Sequence, residues 1–177
     1  MSERSERGFT LVETLIVTVM LAIMAAVAIP NFLVYKQRSQ VDAATRQMVE
    51  AVREARSKAI LRGWEYRIYG FNSGSSSTYK NKYRLMGRSS NAVAWAADSS
   101  GSFENATAMA SEWINIGTVY PGVTFNPTDG TDHFWVVFNN QGVAYDIDDS
   151  FNPLRVTHTT GGTKSVYITS AGSVKIQ

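Results

Sequence analysis

The chain has 177 residues, a formal net charge of only +2 and no cysteine. That length suits one globular domain plus an anchor, and without disulfides the domain must hold itself together by its core and sheets. The charge is unevenly placed: residues 36–63 carry seven Lys/Arg against three Asp/Glu, whereas residues 64–177 carry eight against nine. The second half therefore offers no electrostatic case for nucleic acid.

In chain order, a polar octapeptide, MSERSERG, leads into the run Gly8 to Tyr35, whose single side chain charged at neutral pH is Glu13. A helix from Phe9 to Pro30 would be about 33 Å long at roughly 1.5 Å per residue, enough for a bilayer core of about 30 Å. Thr14, Thr18, Ala22 and Ala26 recur every four residues along it, and small residues at that spacing let helices approach closely in lipid. Pro30 removes a backbone donor and should kink or loosen the helix.

From Lys36 to Arg62 the pattern becomes amphipathic. Val41, Ala44, Met48, Val52, Ala55 and Ala59 recur at steps of three and four, which predicts one buried face of a helix. Asp42–Arg46, Arg46–Glu50 and Glu54–Lys58 are spaced for surface pairing, and Gly63 is the expected stop. A strand is predicted next, with Trp64, Tyr66 and Ile68 alternating with Glu65, Arg67 and Tyr69. Asn72 to Thr78 reads as a turn or flexible loop. Further strands are predicted at Tyr79–Met86, Val93–Ala97, Trp113–Val119, Val123–Asn126, His133–Phe138, Val143–Ile147, Leu154–His158, Ser165–Thr169 and Val174–Gln177. Between them, Asp98–Asn105 is a predicted loop and Ala106–Ser111 a predicted helical turn. A long helix followed by antiparallel strands is an α+β architecture, a helix packed on an antiparallel β-sheet head.

Gly8-Phe9-Thr10-Leu11-Val12-Glu13 resembles the type IV prepilin signature. That resemblance implies cleavage after Gly8 by a prepilin peptidase and N-methylation of Phe9. Glu13 becomes the fifth mature residue and Pro30 the twenty-second, as in the family pattern. It further implies that the Glu13 carboxylate pairs with the α-amine of a neighbouring subunit; such an amine has a pKa of about 8 and is mostly cationic at neutral pH. Two plainer readings compete. One is a secretory signal peptide with Leu15 to Ile29 as its apolar region and Ala26-Val27-Ala28 as its cleavage site. The other is a simple anchor whose Glu13 reaches headgroup water. Neither explains the Gly-Phe pair placed immediately before the apolar run.

A second resemblance covers ARSKAILRG (55–63) with its following strand, and the segments VVFNNQGVAYD and SVYITSAGSVKIQ. These are similar to the GspH/FimT group of minor pilins and pseudopilins. Together the resemblances imply a pilin-like fold divided into a leader (1–8), a transmembrane or filament-core helix (9–35), the amphipathic half of that helix (36–63) and a β-rich head (64–177). They imply a structural subunit that primes or caps a type IV pilus or a type II secretion pseudopilus. Its partners would be other pilins or pseudopilins, the peptidase and the inner membrane, with the head in the periplasm.

The alternative is a minor pilin that captures DNA. FimT-like proteins of that kind carry a C-terminal Gly-Arg-x-Arg run. Here Gly172-Ser173-Val174-Lys175 keeps only Lys175, without the planar bidentate phosphate contacts that arginine supplies, which argues against DNA. Nothing in the sequence argues for an enzyme or a cofactor. His133 and His158 are expected to be packing or edge residues, and Trp64, Trp95, Trp113 and Trp135 to be core anchors. The run Asp146-Ile147-Asp148-Asp149-Ser150 lacks the glycine and distal glutamate of a calcium loop.

Overall fold

The computed structural model describes residues 9–97, 99, 101–127 and 132–177. The chain divides into two compact units, residues 1–36 and 37–177. One helix, α1 (Leu11–Arg62, 52 residues), runs unbroken through Pro30. It stops at Gly63, whose φ of +68° lies in the left-handed region that glycine enters without penalty. In the second unit the predicted stripe of Val41, Ala44, Met48, Val52, Ala55 and Ala59 is buried, joined by Thr45 and Val49. The Thr45 hydroxyl is satisfied within the helix by the Val41 carbonyl (2.7 Å). Glu54 and Lys58 pair at 2.7 Å as their spacing predicts. Asp42 instead pairs with Lys164 across to the sheet, also at 2.7 Å.

Eleven strands follow among the described residues. β1 (Glu65–Phe71), β2 (Lys82–Arg88), β3 (Phe103–Glu104), β4 (Ala108–Ala110), β5 (Ile114–Asn115), β7 (His133–Phe138) and β8 (Ala144–Ile147) form one sheet in the order β3-β4-β2-β1-β7-β8, with β5 also on β2. β6 (Val123–Pro127), β9 (Leu154–His158), β10 (Gly162–Ile168) and β11 (Val174–Ile176) form the other, ordered β11-β10-β9-β6. Every pairing is antiparallel.

Period-two alternation sends Tyr66 and Ile68 inward to the cluster that includes the α1 stripe. Tyr83, Phe125, Phe134 and Phe151 link edge to face through that cluster, with centroids 5.9, 5.3 and 5.5 Å apart. Each such aromatic pair contributes roughly 0.5–1.5 kcal/mol beyond its area burial. At Gly70 an added Cβ would lie 2.4 Å from the Phe134 ring, so only glycine lets that ring lie on β1.

Several predicted elements need correction. Residues 93–97 form no strand. They cross the outer face of the first sheet, where the Arg84 guanidinium donates to the Ala97 carbonyl (2.8 Å) and Arg88 donates to the Val93 carbonyl (3.2 Å). Trp113–Val119 is not one strand either. After β5 the Asn115 side chain accepts from the Gly117 and Thr118 amides and starts a short helix, α2 (Ile116–Val119). The predicted helical turn at 106–111 is β4, set by the Asn105 carboxamide oxygen accepting from the Thr107 (2.9 Å) and Ala108 (2.7 Å) amides. The predicted loop at 98–105 contains β3.

The tryptophans are the largest correction. Trp64, Trp95, Trp113 and Trp135 are all half-buried; Trp64 packs against the buried core, and the other three are not part of it. Trp95 lies between the guanidinium groups of Arg67 (4.6 Å) and Arg88 (4.3 Å), while Arg84 lies 4.6 Å from the Trp113 ring. The histidines do pack: His158 is buried, with Nδ1 accepting from the Gly161 amide (3.1 Å), and His133 stacks on Trp135 at 5.2 Å.

Burial pushes the Tyr83 hydroxyl up to about 12, against a smaller opposing effect of the Gln47 side chain bonded to it (3.0 Å). Tyrosine in the unfolded chain ionises near pH 10, so the folded state holds this proton longer. The resulting stability is complete below pH ~10 and is lost as pH rises towards ~12. In detergent-solubilised full-length protein, Tm should fall across that window. Tyr83→Phe should make the fall shallower, as followed by circular dichroism.

Candidate functional site: the N-terminal helix

The start of α1 is built by Thr10. Its hydroxyl oxygen accepts from the Glu13 amide (3.2 Å) and its carbonyl accepts from the Thr14 amide (3.2 Å). Thr-x-x-Glu is the spacing of a capping box, in which a threonine and a glutamate three residues on satisfy the first orphan amides. An acidic side chain in the first turn also suits the positive end of the helix dipole. This cap is a local signal in the sequence that the reading of Glu13 alone misses.

Every described residue from Phe9 to Lys36 is exposed. Phe9 stands 82% exposed at the start of the described chain; Gly8, the predicted cleavage residue, lies outside the described residues. Glu13 makes no ion pair among the described residues. Thr14, Thr18, Ala22 and Ala26 step by roughly 400° each and so form a slowly winding ridge. The threonine hydroxyls are spent within the helix: Thr14 donates to the Thr10 carbonyl (3.1 Å), and Thr18 to those of Thr14 (3.0 Å) and Leu15 (2.9 Å). The ridge thus presents small surfaces without unsatisfied hydroxyl donors.

Pro30 sits inside the helix, and its ring leaves the Ala26 carbonyl without the usual amide donor. The Asn31 carboxamide donates to the Val27 carbonyl one residue on (3.1 Å). By length and composition, α1 can cross a membrane. Among the described residues its apolar half is exposed, and a helix, which satisfies its own backbone, is compatible with hydrocarbon.

The remaining candidates lie on the head. Lys175 is exposed on β11, opposite Tyr167 of β10. Asp146 accepts from the Trp135 indole nitrogen (3.3 Å). Among the described residues, no group of three or more His, Cys, Asp and Glu side chains could hold a metal ion.

The family described as "Prokaryotic N-terminal methylation motif" matches residues 4–29. Two curated proteins of Pseudomonas aeruginosa, each named "Fimbrial protein", are 42% identical to this chain over 62 residues, 35% of this chain. The matched region spans 40% of the length of those relatives. Two crystal structures of the Pseudomonas aeruginosa type IV minor pilin FimU align with TM-scores of 0.44 and 0.47 at 11% and 12% identity. They cover 77% and 81% of this chain, and 91% and 92% of the FimU chains. The chain thus carries a prokaryotic N-terminal methylation motif at the head of an exposed apolar helix, the later half of that helix packs on antiparallel sheets, and the similarity to the fimbrial proteins covers 35% of its length.

Proposed function

We propose that the chain is a minor pilin or pseudopilin, a structural subunit rather than an enzyme. In this reading it is stored in the inner membrane with its head in the periplasm, and then built into a type IV pilus or type II secretion pseudopilus whose assembly it primes or caps. The observation that carries the reading is the methylation motif at residues 4–29, at the head of a helix exposed from Phe9 to Lys36. Residues 1–8 are then a leader removed by the prepilin peptidase. Residues 9–35 form the membrane or filament-core helix, 36–63 its amphipathic half, and 64–177 the head.

Processing is tested by intact-mass and N-terminal peptide spectrometry of membrane-derived protein. The mature chain should begin at N-methylated Phe9. A chain beginning at Ile29 would replace this reading with a secreted protein.

Glu13 is proposed to meet the α-amine of a neighbouring subunit. A carboxylate moved into a low-dielectric interior needs a partner. Glu13→Ala should still be cleaved and inserted, yet be lost from sheared filaments and from crosslinked complexes with other pilins. Wild-type incorporation would show the carboxylate to be incidental.

The ridge is proposed as the face on which neighbouring helices pack, since dispersion rewards close approach where lipid offers no hydrophobic drive. Ala22→Leu or Ala26→Leu should insert as well as wild type but assemble poorly, whereas Ile23→Phe should matter less. Quantifying each variant in membranes and in filaments checks this; the opposite ranking would put the packing face elsewhere.

A further inference from the structure

Between the loop after β1 and the start of β2 lies a cavity of about 450 Å³ lined by Ser73, Thr78, Lys80, Asn81, Lys82 and Asn115. Its chemistry is one-sided. Two lysines, two asparagines, a serine and a threonine line it, and none of these residues carries a carboxylate. Among the described residues neither Lys80 nor Lys82 forms an ion pair, whereas Lys58, Arg62, Arg88 and Lys164 each do. The Asn81 carboxamide is spent on the fold, donating to the Val123 carbonyl (3.0 Å) and accepting from the Phe125 amide (2.9 Å). Asn115 uses its oxygen to cap α2, which leaves its amide nitrogen to donate.

The wall is preorganised. Ser75 is buried and accepts from the Ser77 amide (3.1 Å), and Ser77 accepts from the Tyr79 amide (3.1 Å). The Ser73 amide donates to the Phe125 carbonyl (3.2 Å), and that of Asn81 to the Asn72 carbonyl (3.0 Å). Asn81 holds φ at 57°, a left-handed kink with one lysine on either side of it. Beside the cavity, the Lys82 ammonium lies 5.4 Å from the Tyr79 ring, which stacks on Trp113 at 4.5 Å.

We propose that this cavity binds a carboxylated sugar, with Lys80 and Lys82 on the carboxylate and the Tyr79–Trp113 pair bordering the sugar ring. A lining with two lysines and no carboxylate favours an anion. The volume lies in the lower half of the range for small-molecule sites, about 300–1,000 Å³. Two lysines at one point, on a head with eight basic against nine acidic residues, make a pocket for a single anionic group rather than a track for a polyanion. The inference stands independently of the assembly role proposed above.

The test is titration calorimetry of full-length protein in a sugar-free detergent at about 0.05 M salt, where screening is modest. The probes are D-glucuronate, D-glucose and inorganic phosphate. Glucuronate should saturate, at least tenfold more tightly than glucose or phosphate. Losing one charge-assisted hydrogen bond costs about tenfold or more, so Lys80→Gln and Lys82→Gln should each weaken glucuronate by that factor, and Lys175→Gln should not. Because Lys82 also touches Tyr79, Lys80→Gln keeps the test decisive if Lys82→Gln is unstable. Absence of saturation, or binding unchanged by Lys80→Gln, overturns the site. Equal affinity for phosphate overturns the sugar assignment, as does displacement of glucuronate by a single-stranded oligonucleotide at submicromolar strand concentration.

Discussion

The packing of α1 onto the sheets depends on the close approach permitted by Ala44, Ala55 and Ala59, all fully buried on one stripe of the helix. Small side chains bring the helix axis near the strands, and Met48 and Val52 between them supply the bulk that fills the layer. That proximity then dictates glycine at the turns facing the helix. A Cβ at Gly161 would lie 2.8 Å from the Gln37 carbonyl oxygen, and one at Gly142 would lie 2.6 Å from Ile60. Arg56, on the same helix, donates to the Gly172 carbonyl (3.3 Å). The two strand–glycine-turn–strand segments therefore meet at Arg56, where a Cβ on Gly172 would collide with the Gly142 carbonyl oxygen at 2.6 Å.

The same helix carries two different solvation problems. Residues 41–59 have an apolar stripe and a sheet to bury it. The half up to Tyr35 is apolar on every side and exposed along its whole described length. A helix satisfies its own backbone, so such a segment is compatible with hydrocarbon. The threonine back-bonds extend that self-sufficiency to Thr14 and Thr18, whereas Glu13 makes no ion pair among the described residues.

Helical periodicity made α1 legible, because six residues at steps of three and four mark the buried face without reference to anything distant. The strands with clear alternation and glycine turns were legible for the same reason: His133–Phe138 and Leu154–His158 have the boundaries their sequence predicts. Residues 93–119 were not. β3 and β5 have two residues each, too few for a period to declare itself, and the side-chain bonds of Asn105 and Asn115 set the neighbouring β4 and α2. The tryptophans failed for a different reason. Alternation separates the two faces of β7 but does not say which one meets the helix, and here Phe134 takes the inner face while Trp135 takes the outer. At the N-terminal site the motif is legible because it is local, lying wholly within residues 4–29.

The outer face explains how a cysteine-free head secures its longest excursion from the sheet. Residues 93–97 and Trp113 are held over β1 and β2 by guanidinium groups. Arg67 and Arg88 hold Trp95, Arg84 lies against Trp113, and Arg84 and Arg88 bond the Ala97 and Val93 carbonyls. Exposed cation–π contacts contribute about 0.5–1 kcal/mol each and desolvated ones about 2 or more. Three of them, with Arg84 fully buried, reach the range of one disulfide, about 2–4 kcal/mol. They act differently, however. A disulfide restricts the unfolded chain, whereas these contacts exist only once β1 and β2 have paired and set Arg67 beside Met86 and Arg88 beside Glu65. The excursion is therefore ordered by the finished sheet, and its stability follows that of the strands beneath it.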